Sequence, residues 1–141
     1  MREANRVTGE SSAFRILAWI TTLLFVALAV SWMFAPAFSL SQWGIQSNDI
    51  AELVSRRIAA LYTGIAVMFF FARNTPPSQA RRAMVLGLVL ACLILAALGL
   101  FEVYAGRAQP AILVVAAIEV TLAAAFLLFD RRPAHGDQND H

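Results

Sequence analysis

Polar residues in this chain are gathered into short stretches that separate long apolar runs. A helix needs about 20 mostly apolar residues to cross a bilayer. Runs of that kind predict helices over about 14–35, 79–105 and 110–129. A fourth is less plain, because the uncharged stretch 58–72 covers only about 22 Å at helical rise. The preceding "SNDIAELVSRR" supplies a beginning. Ser47, Asn48 or Asp49 can cap, and Glu52 falls in the first turn, where the helix dipole favours an acid. The helix is therefore placed over about 50–72, carrying Arg56 and Arg57 into the outer part of the apolar layer.

The connections differ in kind. "PAFSLSQWGIQSN" holds Phe38, Leu40, Trp43 and Ile45, so it is expected to lie against the membrane interface or to fold over the bundle mouth. "RNTPPSQARR" reads as a tight turn in which Thr75 caps and Pro76 takes the first helical position. "YAGRAQP" is also short, with Gly106 as a stop and Pro110 as a start. Short connections predict that the last three long helices are antiparallel neighbours. Trp19 and Trp32, about 20 Å apart along a helix, suit one aromatic near each interface. Ala35-Pro36-Ala37 has the A-x-A form of a signal-peptide cleavage site. Its apolar run, however, exceeds the usual 7–15 residues or so, and Glu3 and Glu10 precede it, so the span is read as retained.

Composition sharpens the picture. Of 141 residues, 60% are hydrophobic and only 14% charged, against about 25% charged for a soluble domain. Lipid is the natural solvent for such a surface. Every basic side chain is an arginine, which together with the alanine content hints at a GC-rich bacterial genome. The pI near 9.3 does not signal nucleic acid, because the arginines flank apolar runs rather than form a separate patch. With four crossings, Arg2, Arg6, Arg15, Arg73, Arg81, Arg82, Arg131 and Arg132 fall on one side, and only Arg56, Arg57 and Arg107 on the other. The positive-inside rule then places both termini in the cytoplasm.

Within the last helix, Glu119 sits about 13 Å from Pro110 and about 16 Å from Asp130, near the midplane. An acid there costs about 2.5–3.5 kcal/mol to insert and is expected to face the bundle interior, pair, or hold its proton. Glu52 stands four residues before Arg56, the favourable order for an ion pair. That leaves Arg57 to bridge to Glu102, or to turn inward toward Glu119, with the Tyr62 hydroxyl as another donor. The expected intramembrane polar cluster is Arg56, Arg57, Tyr62, Glu102 and Glu119. Such groups can simply hold helices together; they can instead form a site for a proton, an ion or a small polar ligand, or meet a partner protein. Small residues leave the packing open. Ala116 and Ala123 share the Glu119 face, Ala117, Thr121 and Ala124 the opposite one, and Gly87 with Ala91 forms a small-x-x-x-small pair.

No catalytic motif of the zincin, P-loop, Rossmann or nucleophile-elbow kind is present, so the sequence points to no enzyme and indicates no cofactor. The only histidines, His135 and His141, lie in the polar tail, which argues against a histidine-held haem or metal. The single cysteine, Cys92, lies in an apolar run and reads as a small buried hydrophobe.

A first helix ending at Pro36, a loop with "WGI", then "RRIAALYTGIAVMFFFARN", "SQARRAMVLGL" and a final helix bearing Glu119 together resemble the small bacterial four-helix membrane proteins of the DoxX-like superfamily. That resemblance covers about residues 14–130 and implies the same bundle. Some DoxX-type proteins are membrane subunits of quinone-linked oxidoreductases, so it also implies a quinone as a possible ligand; no site residue is carried over.

The expectation is an all-α, antiparallel, integral membrane four-helix bundle over 14–130 in the bacterial inner membrane. A cytoplasmic segment, 1–13, precedes it and a disordered cytoplasmic tail, 131–141, follows. The expected role is a non-enzymatic accessory or structural component. The alternatives are a proton-linked carrier using Glu119 and a subunit of a quinone-linked oxidoreductase. The expected partners are the bilayer, a second copy or a larger membrane complex.

Overall fold

The computed structural model describes residues 2–129, with side chains from Ser12 onward; the expected tail, 131–141, lies outside them. Five helices and no strand occur among the described residues: α1 (Arg2–Phe34), α2 (Pro36–Gln42), α3 (Asp49–Ala72), α4 (Gln79–Tyr104) and α5 (Ile112–Phe129). Four of them are long and apolar enough to cross a membrane, over Ser12–Phe34, Asp49–Ala72, Gln79–Tyr104 and Ile112–Phe129. The protein is a multi-pass membrane protein. Helix α1 starts well before its apolar part, since its backbone is already helical at Arg2.

Local chemistry sets the breaks. Proline disfavours the helical region in the residue before it, and Ala35 leaves that region (φ −133°, ψ 51°) before Pro36 opens α2. The apolar loop is therefore partly helical. Leu40 and Ser39 are buried, and Ser39 meets Ser31 of α1 at 2.9 Å, so α2 folds over the bundle mouth. Asn48 caps α3, its Oδ1 accepting from the Ala51 amide at 2.8 Å. Ser78 caps α4, accepting from the Arg81 amide at 3.2 Å. Thr75 was expected in that role. Its place before Pro76, itself before Pro77, keeps the chain extended for one turn longer. Gly106 ends α4 at φ +69°, as its position in the sequence implied.

The helices pack as two close pairs, α1 along α3 and α4 along α5, which meet mainly through α1 and α5. The expectation that the last three long helices are successive close neighbours holds for α4 and α5 but not for α3 and α4. Side-chain size explains it. Within the pairs the buried positions are small, Ala18, Ala29, Ala59 and Ala66 in one and Ala96, Gly99, Ala116 and Ala123 in the other, and small residues let backbones approach. A Cβ added to Gly99 meets the Ala116 Cβ at 3.8 Å. Between the pairs stand larger groups, including Phe25, Phe69, Leu88, Leu122 and Phe126, which hold the backbones apart.

Helix α5 uses one face only. Ala116 and Ala123 are buried, whereas Ala117, Thr121 and Ala124 are exposed. Thr121 satisfies its hydroxyl on the Ala117 carbonyl at 2.7 Å, the usual solution for threonine in lipid. Gly87 and Ala91 serve no packing within the chain: both are exposed, and a Cβ on Gly87 meets nothing within 4 Å. In the core, Thr21 is fully buried, and its hydroxyl finds no partner among the described residues.

Candidate functional site

Pairs held apart by large side chains leave space between them. A cavity of about 250 Å³ lies where α1, α3, α4 and α5 converge, with Trp43 beyond α2 at one end. Its walls are apolar, and four aromatic rings line it: Phe25, Trp32, Trp43 and Tyr62. Phe25 and Tyr62 meet edge to face with centroids 5.5 Å apart. Trp32 and Trp43 lie 4.8 Å apart, and this contact draws Trp32 inward, to 5% exposure. An interfacial position was expected for Trp32; the chain after α2 returns over the mouth and covers it. Trp19, 41% exposed, keeps an outward position.

Three polar side chains reach this cavity: Tyr62, Glu102 and Glu119. Of the expected cluster, these three come together and Arg56 and Arg57 do not. The buried face of α3 runs through Ser55, Ala59, Ala66 and Phe69. At about 100° per residue, Arg57 points roughly opposite to Ser55, and both arginines are exposed. Arg56 pairs with Glu52 at 3.3 Å, as the spacing implied. The Arg57–Glu102 bridge does not form. Glu102 is taken by Arg107 instead, Nε donating to Oε2 at 2.7 Å and Nη2 to Oε1 at 2.9 Å. A bidentate partner five residues away on the same turn needs no alignment between helices, so the local pair prevails. Arg107 lies outside the spans, and this hydrogen bond raises its pKa above the ordinary arginine value.

Glu119 is left as the distinctive group. It is partly buried, and its carboxyl makes no hydrogen bond or ion pair among the described residues. The Tyr62 hydroxyl is likewise without a hydrogen-bond partner among them. One carboxyl and one phenol thus face an aromatic, apolar space with their bonding capacity unused. Inside a membrane such groups mark a ligand or ion pathway more often than packing. The described residues contain no group of three His, Cys, Asp or Glu placed to hold a metal. Cys92 is buried against the same cavity.

Sequence reasoning found Glu119 and Tyr62 by their isolation in apolar runs. It missed Phe25, Trp32 and Trp43 as walls, because an aromatic in a hydrophobic run carries no mark of which way it faces. Comparison with known protein families, with curated proteins and with solved structures finds no match to this chain.

Proposed function

We propose that the protein is a non-enzymatic component of the bacterial inner membrane that binds a lipid-soluble cation between its helix pairs and exchanges it for a proton on Glu119. One observation carries the reading: a carboxyl with no hydrogen-bond or ion-pair partner among the described residues faces a cavity walled by four aromatic rings. An aromatic face attracts a cation by about 0.5–2 kcal/mol, more when water is excluded, and the carboxylate supplies the counter-charge. Glu102 sits at the mouth already neutralised by Arg107, so an entering cation has one unshared anion to reach. When the cation arrives, the Glu119 carboxyl gives up its proton and becomes the paired carboxylate; when the cation leaves, a proton returns. In this reading the long helices are antiparallel and both termini are cytoplasmic, as the arginine distribution implies. This is the carrier alternative that the sequence raised, and the resemblance to DoxX-like proteins is compatible with it at the level of the bundle.

Phenyltrimethylammonium and its neutral isostere tert-butylbenzene test the proposal on purified protein, with Trp32 and Trp43 fluorescence as the readout. The cation is expected to bind saturably, more tightly than the isostere, and less tightly as pH falls, because protons compete for the carboxylate. Glu119→Gln is expected to abolish the preference for the cation while leaving the fold intact. Equal affinity for both probes, or a cation preference that survives Glu119→Gln, overturns the reading. Saturable binding of a short-chain benzoquinone that ignores Glu119→Gln transfers the cavity to the quinone-linked alternative, for which Tyr62 is the hydrogen-bond donor.

A further inference from the structure

The sides of the cavity between the helix pairs are closed to different degrees. At the end beside α2, Trp43 lies on Trp32 with ring centroids 4.8 Å apart, and the Gln109 amide donates to the Trp43 carbonyl at 3.1 Å. Glu102 and Arg107 pair at the same end. The approach from water is thus covered by rings, backbone and a neutralised pair. The flank between α3 and α4 is different. These two helices are not close neighbours, and among the described residues Tyr62 alone represents α3 in the cavity wall. Leu95 and Leu98 of α4 line the cavity and are nevertheless 45% and 51% exposed.

Spacings of three and four residues put Leu95, Leu98 and Glu102 on one face of α4, and all three line the cavity. Toward the start of α4 the same stripe continues through Ala91 and Gly87, both exposed. A wall that faces the cavity on one side and the surroundings on the other bounds an opening. Leu95 and Leu98 lie within a membrane span, so the opening leads into hydrocarbon. Lipid tails are as apolar as leucine, and an alkyl chain therefore rests there without cost to either. The cavity itself, about 250 Å³, is smaller than the roughly 300–1,000 Å³ that encloses a drug-sized ligand. It takes a head group, and a longer chain has to stay in the opening.

We infer that the cavity opens into the bilayer between α3 and α4 and that its ligand is a single-chain cationic amphiphile. The ammonium head lies against Glu119 and the aromatic rings, and the alkyl chain lies over Leu95 and Leu98. Glu102, on the same stripe, is already held by Arg107, so the head is not stopped in the opening and passes on to the unpaired carboxyl. The head rests on the cation reading above; the chain rests on the opening alone.

The test uses the full chain in phosphatidylcholine nanodiscs and calorimetric titration with three probes. Decyltrimethylammonium has head and chain, phenyltrimethylammonium the head without the chain, and decanol the chain without the charge. Leu98→Trp fills the opening from an exposed position. It is expected to weaken decyltrimethylammonium about tenfold, the order of effect that overpacking a filled space produces, and to leave phenyltrimethylammonium within about twofold of wild type. The retained phenyltrimethylammonium affinity also shows that the variant folds. Leu100 is 57% exposed and, at about 100° per residue, points about 160° away from Leu98. Leu100→Trp adds the same bulk and should change neither affinity. Every comparison is made in the same lipid, so partition of the probe into the bilayer cancels. No loss in Leu98→Trp, equal losses for the two cations, or equal losses in Leu98→Trp and Leu100→Trp overturn the inference. Decanol separates it from the reading it extends. If Glu119→Gln leaves cation binding unchanged while Leu98→Trp still weakens decanol, the chain keeps its place in the opening and the ammonium head falls.

Discussion

The two ends of the bundle support their arginines differently. Beside α2 and the α4–α5 turn, Arg56 and Arg107 meet carboxylates four and five residues away on their own segments. At the other end, Arg73 and Arg81 lie on phenyl and indole faces and on backbone carbonyls. A carboxylate partner neutralises the charge of an arginine, whereas a ring supports the plane of its guanidinium. The first end is closed at Arg56 and Arg107 by pairs local in sequence, with Arg57 left exposed, and the second rests its arginines on rings. The closed end also carries the backbone lock: the Gln109 amide donates to the Trp43 carbonyl at 3.1 Å, tying the segment after α2 to the turn after α4.

The largest expected effect lies under the ring-supported end. Phe126 is fully buried and touches both Phe14 and Phe69, with centroids 6.2 and 5.5 Å away. Because Phe14 carries Arg81, Phe126→Ala removes the support of that ring as well as a core ring. A loss of about 3–5 kcal/mol in reversible unfolding is expected. A loss below about 1 kcal/mol would show that the ring stack under Arg81 contributes little to the fold. At the closed end the sensitive position is Gly44. Its φ of +77° lies in the left-handed region, and a Cβ there meets the Gln109 Cγ at 2.8 Å. Gly44→Ala is expected to cost about 1–2 kcal/mol and more than Gly106→Ala, where a Cβ meets nothing within 4 Å. Equal costs would show that the lock to Gln109 contributes nothing.

The contrast between the ends was only half legible in the sequence. Arg56 with Glu52 could be read from spacing, because a helix fixes which residues four apart are neighbours. The breaks at Pro36 and Gly106 and the four apolar spans followed equally from local rules. Glu102 with Arg107 could not be preferred over Glu102 with Arg57, since the turn that returns Arg107 to Glu102 depends on how α4 ends. The aromatic supports were hidden for a different reason. Trp19 and Phe70 stand between apolar neighbours and Phe14 opens the first apolar run, so periodicity does not say which face turns inward. For the same reason the sequence placed Glu119 at depth and Tyr62 near it, but not the rings that surround them.

The smallest expected effect tests whether the closed end is closed by its ion pairs or by its backbone. The Glu102–Arg107 pair is well formed in geometry yet largely solvent-accessible, and exposed pairs add little to stability. Arg107→Gln is therefore expected to leave the unfolding midpoint where it is. The linkage has a definite sign. Pairing raises the Arg107 pKa in the folded chain, so whatever the pair contributes is present below the unfolded arginine range and lost only as pH rises through the raised value. Stability attributable to Arg107 should consequently be flat across neutral and moderately alkaline pH. The measurement is the difference in midpoint between wild type and Arg107→Gln over that range. A difference that changes within it, or an Arg107→Gln cost matching that of Gly44→Ala, would mean that the ion pair holds the turn, and the two ends would then differ in the partner of each arginine but not in how much structure depends on it.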